Sequence, residues 1–198
     1  TGVKILNWLA TMWGGKLKFD SPMLYSVGLV TMFTIGGLSG VTHAIAPADT
    51  QQTDTYYIVA HFHYVLFGGA LFGFIGGWYF WWPKVFGYAL NDLVGKVNFW
   101  ILLVGFNLTF IPQFMVGLAG MPRRIPDYPL MFTEWNQLST IGAFILGASH
   151  LIFIYNVLAC KRGGEKAQAK AWDGAEGLEW TVPSPAPYHT FEVQPIIK

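Results

Sequence analysis

Thr55-Tyr56-Tyr57-Ile58-Val59-Ala60-His61-Phe62-His63-Tyr64-Val65-Leu66 opens a run without a charged residue that continues to Pro83. A run of that length crosses a bilayer as a helix, which takes about 20 apolar residues. Successive helical residues turn by about 100°, so His61 and His63 point about 200° apart. Their imidazoles therefore face opposite flanks. They cannot easily chelate one metal, but each can hold a different one. A membrane helix with a metal or haem on either flank suits electron transfer.

The rest of the chain supports a membrane setting. It has 198 residues, 53% hydrophobic, 17% aromatic and only 12% charged, where a soluble domain carries about 25% charged residues. Uncharged runs occupy 21–48, 55–83, 97–122 and 135–160. Each exceeds the roughly 18 residues expected of a spanning helix. Residues 1–13 form a shorter apolar stretch, read as the end of a helix whose earlier part lies outside this sequence. The fold class expected is an all-α, polytopic transmembrane helix bundle with one partial helix and four full spans. Residues 1–160 would form the membrane domain and 161–198 a cytoplasmic tail, extended or disordered.

The single Cys160 excludes an internal disulfide framework and a cysteine-based metal cluster. A formal net charge of +1 gives no sign of nucleic-acid binding. Lys16 and Lys18, then Lys84 and Lys96, then Lys161, Arg162, Lys166 and Lys170 mark inner loops and an inner tail, because Lys and Arg stay on the cytoplasmic side. Glycines after the histidines, Gly68, Gly69, Gly73, Gly76 and Gly77, permit close approach of helices or of a flat macrocycle. Trp78, Trp81 and Trp82 fit an interfacial aromatic belt. Pro112 is expected to kink its helix.

One loop breaks the charge rule. Gly120-Met121-Pro122-Arg123-Arg124 falls on the outer side yet carries two arginines. These read either as a site for a local anionic partner, since Arg pairs bidentately with carboxylates and phosphates, or as lipid-headgroup contacts. Lys4 likewise reads two ways, as part of a proton path within the membrane or as a side chain snorkelling to the interface. Asp49 and Asp54 flank a short outer loop and could serve Mg²⁺, which takes one or two carboxylates plus waters. Asp54 also reads as a helix N-cap. His43 and His150, with no paired histidine nearby, are read as polar packing residues.

The run from Asp54 to Leu66 resembles the haem helix of subunit I of the haem-copper oxidases, the cytochrome c oxidase family. Gly120-Met121-Pro122-Arg123-Arg124 with Asp127-Tyr128-Pro129, and Thr1-Gly2-Val3-Lys4 with Trp8-Leu9-Ala10-Thr11, are similar to further motifs of that family in the same order. The phrase Leu178-Glu179-Trp180-Thr181-Val182-Pro183-Ser184-Pro185 is similar to the tail of bacterial members. The resemblance covers residues 1 to about 160 and implies the end of helix VIII to helix XII of a twelve-helix subunit.

It also implies roles. His61 would be the axial ligand of the high-spin haem at the oxygen site, and His63 an axial ligand of the low-spin haem, of a3 and a type respectively. Arg123 and Arg124 would hold haem propionates, and Asp49 would lie near one. Lys4 and Thr1 would belong to a proton path. Asp54 would match a Mg²⁺ carboxylate, but Thr53 stands where the family has the histidine of that site. The copper B ligands would belong to helices before Thr1, so this fragment alone would not be active.

The activity implied is that of a proton-pumping cytochrome c oxidase in the bacterial inner membrane. Subunits II and III would be partners, and cytochrome c would donate electrons to oxygen through subunit II. A quinol oxidase of the same superfamily, a di-haem electron carrier without oxygen chemistry and a non-redox transporter are the competing readings.

Overall fold

The computed structural model describes residues 1–195. The last three positions of the expected tail lie outside the described residues. The chain is helical, with no β-strand among the described residues: α1 Gly2–Met12, α2 Ser21–Ala44, α3 Ala46–Gln52, α4 Tyr56–Val65, a π-helical segment Leu66–Leu71, α5 Phe72–Phe86, α6 Asp92–Leu118 and α7 Thr133–Gly163. Four helices are long and apolar enough to cross a bilayer: Ser21–Ala44, Tyr56–Phe86, Asp92–Leu118 and Leu130–Gly163. The second combines α4, the π-helical segment and α5. This is the expected bundle of four spans, with α1 as the partial helix.

Local chemistry sets the ends. Asp20 caps α2 by accepting from the Met23 N–H at 3.2 Å, and Asn91 caps α6 through Val94 N–H at 3.1 Å. Thr55, not Asp54, caps α4, its hydroxyl oxygen accepting from Tyr57 N–H at 3.2 Å. Asp54 instead sits at φ 59°, a turn conformation that cannot open a helix. Helix α6 continues through Pro112.

Aromatic side chains fill the centre. Tyr25, Tyr64, Phe72, Tyr79, Phe99, Leu102 and Phe106 are buried together. The polar tips of the tyrosines find partners on neighbouring helices. Tyr64 donates to Asn107 Oδ1 at 2.7 Å, Tyr25 donates to Asn98 Oδ1, and Asn98 donates on to the Ser149 carbonyl at 2.6 Å. Within a bilayer such interhelical bonds average about 0.6 kcal/mol each and act as register pins. Helices α6 and α7 pack closely because Gly142 leaves no room for a side chain: a Cβ there would lie 2.5 Å from the backbone of Leu108 and Thr109.

The two ends of the bundle differ in chemistry. At one end lie Lys18, Lys84, Lys96 and the segment after α7, with Lys18 ion-paired to Asp173 at 2.9 Å. The boundary expected at residue 160 falls in the last turn of α7. Beyond it the chain is irregular, with a single 3-10 turn at Leu178–Trp180, and it is docked. Ala89 N–H donates to the Glu165 carbonyl and Ala167 N–H to that of Gly87, each at 2.9 Å. Trp172 Nε1 donates to the Phe80 carbonyl at 2.8 Å. Lys84 is buried at the centre of this junction. Its ammonium donates to the carbonyls of Ala169 at 2.9 Å, Val182 at 2.7 Å and Pro183 at 3.4 Å, with the Trp180 ring 5.2 Å away.

The opposite end holds α3, Asp49, Asp54, Arg123 and Arg124. Backbone bonds from Tyr56 N–H to the Met121 carbonyl at 3.1 Å and from Arg123 N–H to the Asp54 carbonyl at 2.9 Å tie the start of α4 to the loop after α6.

Candidate functional site

Helix α4 carries both histidines of the His-Phe-His motif, and they turn to different neighbours. His61 faces α2, where its Nδ1 lies 2.9 Å from the Gly36 carbonyl and 2.8 Å from Ser39 Oγ. A carbonyl only accepts, so Nδ1 carries the proton. In the neutral ring Nε2 is then the nitrogen with the free lone pair. Gly40 makes the approach of α2 to this ring feasible, since a Cβ there would stand 2.8 Å from His61 Cε1.

His63 faces α6. Its ring stacks on Phe110 with centroids 4.3 Å apart and planes at 18°, and its Nδ1 lies 2.7 Å from the Val59 carbonyl one turn back. Here too Nδ1 carries a proton, and in the neutral ring Nε2 is the nitrogen with the free lone pair. An apolar groove of about 500 Å³ opens beside this ring, lined by Phe62, Leu66, Phe67, Ala70, Leu71 and Phe74. The π-helical segment Leu66–Leu71 supplies four of those six residues. Such π-helical turns recur at functional sites because they re-aim side chains relative to a plain helix.

Both histidines thus present the tautomer that metal-bound imidazoles adopt, with the second nitrogen fixed by a carbonyl. An imidazole in an apolar groove, on a rigid helix, fits a haem iron. His63 with its groove fits one haem, and His61, held in the same way on the α2 side, offers a second imidazole on a different flank of α4.

Arg123 sits where a carboxylate partner is at hand. Arg123 Nε and one terminal nitrogen both donate to Asp54 Oδ1, at 2.8 and 2.7 Å. Asp54 therefore serves first as the partner of Arg123. Among the described residues no cluster of three or more His, Cys, Asp or Glu side chains could hold a metal ion. A Mg²⁺ ion at Asp54 would therefore have to be held by this one carboxylate, already shared with Arg123, together with waters. Arg124 takes a left-handed backbone conformation, φ 65°, next to the paired Arg123.

Asp49, in the first turn of α3, places Oδ1 3.6 Å from His43 Nδ1. Lys4 and Thr1 stand on and just before α1, which buries no residue, and no hydrogen bond joins their side chains to the histidines among the described residues. Sequence reasoning missed Ser39 and Gly36 as supports of His61, and His43 as its neighbour with ring centroids 4.7 Å apart. The available signal was helical spacing: residues 36, 39, 40 and 43 recur at intervals of about three to four and share one face. His150 donates from Nδ1 to the Leu146 carbonyl at 2.8 Å, a packing arrangement as expected.

A family model described as cytochrome c and quinol oxidase polypeptide I matches residues 1–145. Cytochrome c oxidase subunit 1 of Bacillus sp. (strain PS3) is 46% identical over all of this chain. A putative cytochrome c oxidase subunit 1-beta of Streptomyces avermitilis is 48% identical over all of it, and cytochrome c oxidase subunit 1 of Cereibacter sphaeroides is 46% identical over 98%. The match spans 32%, 36% and 35% of those three proteins, so this chain covers about a third of their length. A chain from a haem-copper terminal oxidase dimer shares the fold with a TM-score of 0.66 and 21% identity, over 73% of this chain and 27% of that one. On the extent of the family match and the identity to these relatives, the chain belongs to the cytochrome c and quinol oxidase polypeptide I family.

Proposed function

We propose that this chain is part of the catalytic subunit of a cytochrome c oxidase, with His61 an axial ligand of the high-spin haem at the oxygen site and His63 an axial ligand of the low-spin haem. The observation that carries this reading is the pair of imidazoles on α4, each with Nδ1 committed to a carbonyl and each turned to a different helix. Electrons would enter from cytochrome c through subunit II, reach the low-spin haem, and pass to a haem–copper site where oxygen is reduced to water. The naming of the relatives as cytochrome c oxidases favours this donor over quinol.

The haems, when bound, supply the redox chemistry, and the chain supplies its setting. Helix α4 holds both imidazoles on one rigid element, so two haems held by His61 and His63 would be fixed relative to each other by the backbone rather than meeting by diffusion. The apolar groove beside His63 offers a haem a lining with almost no polar surface, which once covered would lower the local dielectric. Arg123 and Arg124 offer cationic partners for haem propionates, with Asp49 close by. Lys4 and Thr1 would carry protons from the inner side toward the oxygen site, and the complete enzyme would couple this to proton translocation. Copper B would be held by parts of the subunit outside residues 1–198, so this segment alone would not reduce oxygen. The setting would be the bacterial inner membrane, with subunits II and III alongside and the segment after α7 on the cytoplasmic side.

The test is the absorption spectrum of the purified intact complex with and without carbon monoxide. Two haems with a CO-induced shift are expected. Haem without a shift would indicate an electron carrier, and absence of haem would remove the reading.

A further inference from the structure

His43, packed edge-on against the candidate ligand His61, has its own chemistry left incomplete. Both of its ring nitrogens are buried and have no hydrogen-bond partner among the described residues. Its ring stands edge-on to His61 with centroids 4.7 Å apart, and edge-on to Tyr57 at 5.4 Å. Asp49 Oδ1 is 3.6 Å from Nδ1, close enough for a charge contact but beyond hydrogen-bond range. Buried polar atoms in native proteins are almost always bonded, because an unmade bond forfeits the solvation given up on burial. The orphaned ring therefore marks the place of a missing partner.

The position of His43 narrows what that partner is. It lies on the face of α2 that carries Gly36, Ser39 and Gly40, all of which touch His61 or leave room for it. It lies about one turn beyond Ser39 and Gly40 and two beyond Gly36, toward the end of the bundle that holds Asp49, Asp54 and Arg123. A flat macrocycle attached through His61 has an apolar body, which asks nothing of an imidazole. Its polar edge consists of carboxylate arms, which accept hydrogen bonds.

We propose that His43 donates a ring N–H to a propionate of the haem whose iron His61 ligates, with Asp49 flanking the same ring. The proposal rests on the ligand role assigned above to His61. It makes His43 a cofactor-binding residue rather than a packing residue, and it places the polar edge of that haem between α2 and α3.

The experiment uses the intact oxidase complex with its haem propionates ¹³C-labelled, as wild type, His43→Leu and His43→Gln. Infrared redox difference spectra read the labelled carboxylate bands, and extraction of haem reads occupancy. One propionate band should shift in the Leu variant and return toward its wild-type position in the Gln variant, which keeps an N–H donor. Loss of the high-spin haem from the Leu variant alone, with the Gln variant loaded and its band in place, supports the proposal equally. Unshifted bands in a fully loaded Leu variant overturn it. So does loss of the haem from both variants, which would mean that the imidazole is needed for its shape. A wild-type complex without haem would instead defeat the ligand role of His61.

Discussion

Ser39 and His61 meet across two helices, with the serine hydroxyl oxygen 2.8 Å from the imidazole Nδ1. The same hydroxyl donates to the Gly36 carbonyl at 2.7 Å, so ring, hydroxyl and carbonyl form one closed set. Partners of this kind orient a metal-bound histidine and raise its basicity. Ser39→Ala removes one of two supports and leaves the carbonyl. The iron–histidine stretch of the reduced high-spin haem should move to lower frequency, and turnover should fall by no more than about tenfold, the low end of such effects. Resonance Raman spectroscopy of the complex checks it, and an unchanged frequency would show that Ser39 merely packs.

The Asp54–Arg123 pair leads to a second expectation. The carboxylate is largely exposed, 70% by side chain, and the arginine 25%. An exposed pair contributes about 0–1 kcal/mol to stability, so Asp54→Asn should leave thermal unfolding nearly unchanged. Its effect should be electrostatic, since the arginine loses a neutralising neighbour and exerts more of its positive charge on nearby groups. The haem midpoint potential should rise in a redox titration. A fall or no change would place Arg123 away from the haems.

At the other end of the bundle, Lys84 and Lys18 both reach the segment after α7, in different surroundings. Lys84→Met orphans three backbone carbonyls at a buried junction. The cost is about 1–3 kcal/mol for each group left unsatisfied, less where water enters. Limited proteolysis should then cut residues 164–195 much faster than in the wild type. Lys18 and Asp173 are fully exposed, and salt screens their pair. Their mutual hydrogen bond and charge hold the Asp173 carboxyl below its ordinary value and the Lys18 ammonium above its own. The Asp173 contribution is therefore present above the ordinary carboxylate range and is lost as pH falls through the depressed value. The Lys18 contribution is present below the ordinary lysine range and is lost as pH rises through the raised value. High salt or Lys18→Ala should change the cutting rate little. Rapid cutting in salt alone would reverse the ranking of the two lysines.

Lys4→Met tests the proton path. Reduction of the oxygen site should slow by at least about tenfold, equivalent to about 1.4 kcal/mol in the barrier, with both haems retained. Stopped-flow reduction at wild-type rate would reduce Lys4 to a side chain reaching for the interface.

What could be read from the residues alone follows from what is local. The four spans are visible because 18 or more uncharged residues in a row have few other uses. The opposed flanks of His61 and His63 are visible because helical geometry fixes the angle between neighbours. The capping role given to Asp54 was wrong by one residue, because Asp54 and Thr55 are both good capping types and only the backbone angle separates them. The pairing of Asp54 with Arg123 joins residues 69 apart in sequence, and that of Lys84 with Val182 joins residues 98 apart. Neither leaves a local trace. Lys84 stood out in the sequence as a loop cation but not as the centre of a junction, because its carbonyl partners lie 85 to 99 positions away. His43 looked isolated because its neighbour His61 arrives from another helix.

The central claim is that one helix gives an axial ligand to each of two haems. Haem content and absorption spectra of the intact complex, compared for wild type, His61→Ala and His63→Ala, test it most directly. The account predicts selective loss: the low-spin band disappears with His63, and the CO-binding high-spin signal disappears with His61, while the polypeptide still inserts in the membrane. Two variants that keep the wild-type spectrum, or that both lose the same single haem, would contradict it.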